Sequence, residues 1–206
     1  MDERIVIIGC GGQGREIGRM LIDAGRIVVG YVDDAPTAQS RDRVAAQGVD
    51  FLGGRAALAD CRATHYVTGI ASGKVRQLMA PVAEAAGLKP LSFIHPDSTV
   101  GSDCVIDAGS VVWPGVRLSA NVRLGRQAHV NHNVTIGHDS QVGSFATINP
   151  SAAISGNVTV HARVLVGASS IVLQNLTVGA DAVVGAAACV VHDVPDGKIV
   201  KGVPAR

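Results

Sequence analysis

Aromatic residues make up only 3% of this 206-residue chain, and tryptophan occurs once. So few rings give no stacking platform for bases, and 18 Lys and Arg against 17 Asp and Glu leave no basic stripe. A nucleic-acid-binding role is therefore not indicated. No apolar run approaches the roughly 20 residues of a membrane span. The start does not read as a leader, because Asp2, Glu3 and Arg4 follow Met1 and lead straight into a short strand-like run. Cysteine is sparse. Cys10, Cys61, Cys104 and Cys189 lie far apart with no CxxC pair, which argues against a zinc knuckle or a disulfide framework. A reduced, cytoplasmic setting is the expectation. The length allows one or two domains with real cores.

What the chain has instead is a period of six. From Val100 through Ile106, Val112, Leu118 and on to Val190, sixteen consecutive positions six apart are all aliphatic. Four residues after each, the side chain is small or β-branched in nearly every case, as at Cys104, Ser110, Ala128 and Ser140. One residue after, glycine or asparagine is frequent, as at Gly101, Gly125, Asn131 and Gly137. Such residues tolerate left-handed backbone, so the tight corners are expected there. A period of six is neither helical nor bare strand alternation. It is a short strand plus a corner, three to a coil, and it predicts a parallel β-helix of about five coils. The aliphatic residue of each unit points inward.

Ahead of the repeat, Arg4 to Ile8 reads as a buried strand running into Gly9-Cys10-Gly11-Gly12-Gln13-Gly14, with a helix from about Gly14 to Ala24. A second strand, Ile27 to Val32, stops at Asp33-Asp34. Gly9, Gly11 and Gly14 fit G-x-G-x-x-G with an acid some 20 residues on, a pattern that brings backbone close to phosphate at a helix N-terminus. The plain ligand is a dinucleotide. Yet this α/β unit ends near residue 93, too short for two mononucleotide halves, and half of such a fold suits one nucleotide. Residues 35 to 50 read as a polar loop, Arg55 to Asp60 as a short helical stretch, and His65 to Ile70 as a strand. Ala71-Ser72-Gly73-Lys74 is a second strand-to-helix turn, where Lys74 and Arg76 face either a phosphate or solvent. Pro90 to Ile94 reads as a last strand, and His95-Pro96 as the junction. Domains are therefore expected at 1–93 and 94–206.

Within the repeat, His129, His132 and His138 cluster in sequence, but units six apart lie on different faces of a triangular coil. One chain does not readily gather all three around a metal, and no metal is expected. His138 follows Gly137 near a corner and should project outward. Eighteen residues on, at the stacked position, Gly156 leaves an empty slot beside the imidazole. Asp139 is its neighbour and raises its basicity. That set suits a general base; a solvated surface histidine is the alternative.

End to end, the chain resembles the NeuD/PglD-type sugar acyltransferases. The pieces that carry the likeness are the glycine-rich turn Gly9 to Gly14, Asp33-Asp34, Ile136-Gly137-His138-Asp139, Ile148-Asn149-Pro150, Ile154 to Val158 and the tail from Val190 to Arg206. The resemblance implies a small Rossmann-like α/β N-terminal domain that binds a nucleotide sugar, then a left-handed parallel β-helix. It implies a homotrimer with active sites between subunits, and acetyl-CoA as co-substrate. His138 would be the catalytic base and Asp139 would strengthen it. Gly11, Gly12, Gln13, Asp33, Asp34, Ala71 and Lys74 would bind the nucleotide sugar. Thr147, Gly156, Ala168 and Ala186 would line acetyl-CoA. The implied reaction is N-acetylation of a nucleotide-linked 4-amino-4,6-dideoxy sugar. Many relatives have histidine where Gln13 and Thr147 stand here, which bears on the sugar and the CoA contacts. O-acetylation of a sugar hydroxyl, a non-catalytic trimeric scaffold and a γ-carbonic-anhydrase-like metalloenzyme are the other readings.

Overall fold

The computed structural model describes residues 3–206. The chain divides into two compact units, residues up to Leu91 and residues from Ser92 onward. The first is an α/β unit. Its strands are β1 (Arg4–Ile8), β2 (Ile27–Val32), β3 (Phe51–Gly53), β4 (His65–Thr68) and β5 (Lys89–Pro90), all parallel in the order β3-β2-β1-β4-β5. Helices α1 (Gly12–Asp23), α2 (Ala38–Ala45) and α3 (Gly73–Ala85) connect them. The central strand buries Ile5, Val6, Ile7 and Ile8 together, as a parallel strand covered on both faces must. The strand order reverses between β1 and β4, which places a crevice at their carboxyl ends.

Two local expectations are corrected here, and one helical stretch is shortened. The polar stretch after Asp34 is not all loop. Thr37 caps α2, its hydroxyl accepting from the Ser40 amide at 3.0 Å, and Val44 is buried. That capping offsets a weakly amphipathic sequence. The stretch after Gly54 is a single 3₁₀ turn, Arg55–Leu58. Arg76 meets neither phosphate nor solvent. It is fully buried, and its guanidinium donates to the carbonyls of Ile70 and Ala71 at 2.9 and 2.8 Å. Burial disfavours its charged form and pulls its pKa down to about 9. Lys74 stays exposed near the start of α3.

The second unit is a left-handed parallel β-helix built from eighteen two-residue strands, β6 (Phe93–Ile94) through β23 (Ile199–Val200). They form three sheets, the faces of a prism. The first face holds six strands from Thr99–Val100 to Cys189–Val190, and the second holds five from Val105–Ile106 to Thr177–Val178. The third holds seven from Phe93–Ile94 to Ile199–Val200. Partners in a sheet lie 18 residues apart over nearly the whole length, as Arg117 pairs with Thr135 and Leu118 with Ile136. Val112, Val130, Ile148, Val166 and Val184 are fully buried in one such inward stack, and each full burial is worth about 1.5–3 kcal/mol. The expected last α/β strand is split: Lys89–Pro90 pairs with β4, whereas Phe93–Ile94 pairs with Val111–Val112 and opens the solenoid. Ile94 is simply one more hexad position.

The corners also differ from expectation. The left-handed residue is three positions after each aliphatic, not one. Every sixth residue from Asp103 to Ala187 has positive φ, thirteen of them non-glycine, with Gly109 and Gly115 completing the series. Glycine one position after the aliphatic answers a different need, close approach of the next coil. A Cβ on Gly143 would lie 2.6 Å from the Ala162 amide nitrogen.

The repeat slips at its end. Four residues beyond Val190, Val194 forms a bridge with Val178, and Asp193 and Asp196 accept from the amides of Thr177 and Ala180, both at 2.7 Å.

Candidate active site

In the α/β unit, β1 delivers the chain into a turn held from both sides. The Gly9 amide donates to the Val32 carbonyl and the Gly69 amide to the Ile8 carbonyl, both at 2.7 Å. Gly9 has φ +101°, and a side chain on Gly14 would collide with the Gly9 carbonyl, so both glycines are structural needs of the turn. Gly11, which caps α1, and Gly12, its first residue, are different. Nothing lies within 4 Å of a Cβ built on either, so their backbone borders open space at a helix N-terminus.

A cavity of about 320 Å³ opens at the crevice, lined by Gly9, Asp33, Asp34, Arg55, Val75 and Met79 among others. Of the residues expected to bind a nucleotide, Asp33 and Asp34 are brought together here. Gly12 and Gln13 line a separate groove with Arg15, Arg19 and Gln47. Ala71 lies exposed in the β4–α3 turn, with Lys74 just beyond it. Asp33 is committed inward: Oδ2 accepts from the Cys10 amide at 2.9 Å and Oδ1 from the Ala35 amide at 3.0 Å. Burial opposes its ionisation, but these amides and the Cys10 thiol outweigh that and hold its carboxyl below the ordinary range. Cys10 itself is pushed up to about 11 by burial and by Asp33, so it stays a thiol. Asp34 pairs with Arg55, whose Nε lies 3.0 Å from Oδ2.

In the solenoid, Ile136 ends a strand of the first face, and the chain turns through Gly137, His138 and Asp139 toward the second. The His138 Nδ1 lies 2.7 Å from Asp139 Oδ2. Asp139 Oδ1 accepts from Asn121 Nδ2 at 2.8 Å. Asp139 is half exposed, yet its carboxyl is held below its usual range, first by the Asn121 bond and then by His138. The imidazole lies over Gly156: a Cβ built there would be 2.6 Å from Nε2 and 2.8 Å from Cε1. With Nδ1 engaged by the carboxylate, Nε2 is the atom left to take a proton.

The four positions expected to line acetyl-CoA do not converge in one chain. Gly156 shares the edge between first and second faces with His138. Ala168 and Ala186 stack 18 residues apart on the edge between third and first faces, where the Ala187 amide donates to the Ala168 carbonyl at 2.8 Å. Thr147 is buried on the third face. The other two histidines of the cluster go elsewhere. His129 is buried edge-on to Trp113, ring centroids 5.3 Å apart, and His132 lies 6.3 Å from the same indole. Among the described residues, no three His, Cys, Asp or Glu side chains form a metal-holding group. No helix among them is long and apolar enough to cross a membrane.

Two site residues escaped the sequence reading. Asn121 lies 18 residues before Asp139, so the arithmetic that paired His138 with Gly156 also reaches it. Arg55 is 21 residues from Asp34 with no repeat to connect them, and only the sheet brings the two together.

Comparison with known proteins gives a consistent picture. Residues 4–81 match the family described as the PglD N-terminal domain. A stretch of 74 residues is 30% identical to the GDP-perosamine N-acetyltransferase of Escherichia coli O157:H7; it spans 36% of this chain and about a third, 34%, of that protein. A structure of perosamine N-acetyltransferase from Caulobacter crescentus, with one histidine replaced by asparagine and with CoA and GDP-perosamine bound, is similar at TM-score 0.91 and 31% identity. That likeness covers 98% of this chain and 95% of that one. The acetyltransferase domain of PglB from Neisseria gonorrhoeae FA1090, in complex with acetyl coenzyme A, is similar at TM-score 0.77 and 26% identity over 100% of this chain and 99% of that one.

Proposed function

From the premise that this chain belongs to the NeuD/PglD-type family of sugar acyltransferases, we propose that it moves the acetyl group of acetyl-CoA to the amine of a nucleotide-linked amino sugar. A GDP-linked 4-amino sugar of the perosamine type is the first acceptor to test, because two relatives at about this identity are named for it. The observation that carries the reading is the His138 imidazole, held by Asp139 over a glycine that leaves the adjoining space open.

The chemistry follows from that geometry. The neutral amine attacks the thioester carbonyl, and Nε2 of His138 takes the proton the nitrogen must lose. The Asp139 carboxylate stabilises the resulting imidazolium through Nδ1. A backbone amide at Gly156 is the candidate donor to the oxyanion. As the carbon–sulfur bond breaks, the imidazolium returns its proton to the CoA thiolate, which regenerates the base. No cysteine nucleophile takes part.

The proposal includes a homotrimer with sites shared by neighbouring copies. What supports it is the split just described: His138 and Gly156 occupy one edge of the prism, Ala168 and Ala186 another. A groove using both sets needs two solenoids side by side. We place the reaction in the cytoplasm, the compartment of acetyl-CoA.

The test is CoA thiol release with GDP-, UDP- and dTDP-linked 4-amino sugars and their 4-hydroxy counterparts. Release only with an amino sugar is expected. His138→Ala should lower turnover by at least about a hundredfold with an unchanged thermal midpoint. Release only with hydroxyl acceptors would move the protein to O-acetylation, and near-normal turnover of the variant would remove His138 from the mechanism.

A further inference from the structure

The cavity of the α/β unit holds two adjacent carboxylates with different freedom. Asp33 is the less exposed, and its two oxygens accept from the fixed backbone amides of Cys10 and Ala35. Asp34 is half exposed, its side chain 47% accessible, and among the described residues its hydrogen bond and its ion pair both come from Arg55. The Arg55 amide donates to Oδ1 at 2.8 Å, and the Arg55 guanidinium lies against Oδ2. An ionised carboxylate offers about four acceptor sites, so Asp34 keeps acceptor capacity while Arg55 fixes its plane. Gly54 makes this possible, because a Cβ there would lie 2.9 Å from Oδ1. Ile70, Val75 and Met79 line the same cavity and give it an apolar wall suited to the face of a ring.

The bases of the candidate nucleotides present different edges to such a pair. Guanine offers N1–H and N2–H side by side, with the O6 acceptor next to them. Two parallel donors match two carboxylate acceptors, and an arginine alongside matches O6. Uracil and thymine offer one N3–H flanked by two carbonyl oxygens. A carboxylate set against that edge gains one bond and faces a repelling oxygen.

We propose that Asp34, oriented by Arg55, reads the base of the nucleotide sugar and selects guanine. Asp34 accepts from N1–H and N2–H, a guanidinium N–H of Arg55 donates to O6, and the apolar wall takes the ring. The assignment rests on the nucleotide-sugar reading and deepens it by naming the residues that decide which nucleotide enters.

The experiment is calorimetric titration of the whole 206-residue chain with GDP, xanthosine diphosphate, UDP and dTDP, with no acetyl transfer involved. The wild type should bind GDP about tenfold to a hundredfold more tightly than UDP or dTDP. Asp34→Asn replaces two acceptors by one acceptor and one donor, which suits xanthine with its N1–H and C2 carbonyl. The variant should therefore weaken for GDP and tighten for xanthosine diphosphate, inverting their order, while UDP changes little. A gain of this kind cannot come from misfolding. A wild-type preference for UDP or dTDP, an equal loss for all four nucleotides as a ribose contact would give, a loss for GDP with no gain for xanthosine diphosphate, or no nucleotide binding at all would each overturn the assignment. Thiol release on the same preparations separates the two readings. Acetyl transfer with failed base selection sinks only the assignment of Asp34. An intact inversion without acetyl transfer on any acceptor sinks only the reaction.

Discussion

His138 depends on residues from more than one coil. Asn121 holds Asp139, Asp139 holds the imidazole, and Gly156 leaves room above it. In the proposed mechanism Asn121 touches no reacting atom and acts as a positioning residue, so its effect should appear in the pH profile. Because its bond is the first cause of the depressed Asp139 carboxyl, Asn121→Ala should let that pKa rise toward the ordinary value. Asp139 then takes up its proton at higher pH, so the acid-side fall in activity should begin at higher pH than in the wild type. A turnover loss of roughly tenfold should accompany it, short of the 10²–10⁴ that a general base contributes. An unmoved acid limb would show that Asn121 only packs the corner. At this scale the sequence was legible wherever the period of 18 could be applied, as for His138 and Gly156. It was not legible for Arg55, which the sheet brings to Asp34 from 21 residues away, or for Arg76, which turns inward onto the carbonyls of its own turn, Ile70 and Ala71.

Among elements, the corner sets the rule of the solenoid. The inward aliphatics were readable because they repeat with one chemistry. The corner is not readable in this way because glycine has two uses, positive φ and absence of bulk, and composition does not tell them apart. Here the two uses occupy different positions and predict opposite mutational signs. Gly143→Ala places a methyl against the Ala162 backbone and should cost about 1–3 kcal/mol. Ala187→Gly relieves a left-handed alanine at φ 57°. Strain of about 1–2 kcal/mol is offset by about 0.5–1 kcal/mol of added chain entropy, so the change should be neutral to mildly stabilising. Thermal midpoints of the two variants check this, and equal destabilisation of both would contradict the division of roles. Helix α2 was missed for a related reason. Its single buried residue, Val44, leaves no apolar stripe to read, and the Thr37 cap is a one-residue signal.

For the whole molecule, the α/β unit and the solenoid were both evident from pattern, but the distribution of the proposed site residues over two prism edges was not. It follows only from counting faces, and it leads to a mixing experiment. His138→Ala and Ala168→Trp should each be inactive alone. If a site takes its base from one copy and its Ala168 edge from the next, random mixed trimers contain sites with both edges intact. Each edge is intact in half of the copies, so about a quarter of wild-type turnover should return on mixing. No recovery after confirmed subunit exchange would place the whole site within one chain. The final coil carries a consequence of another kind. A ladder of backbone rungs is a template onto which further rungs add, and an open end invites a second molecule to continue it. Asp193 occupies the Thr177 amide that a following rung would need, and Asp196 holds the Ala180 amide at the adjoining corner. Their charge also makes two such ends repel. The two-residue slip after Val190 thus turns the chain's own acids onto the end of the second face, where the edge of the ladder would otherwise lie open.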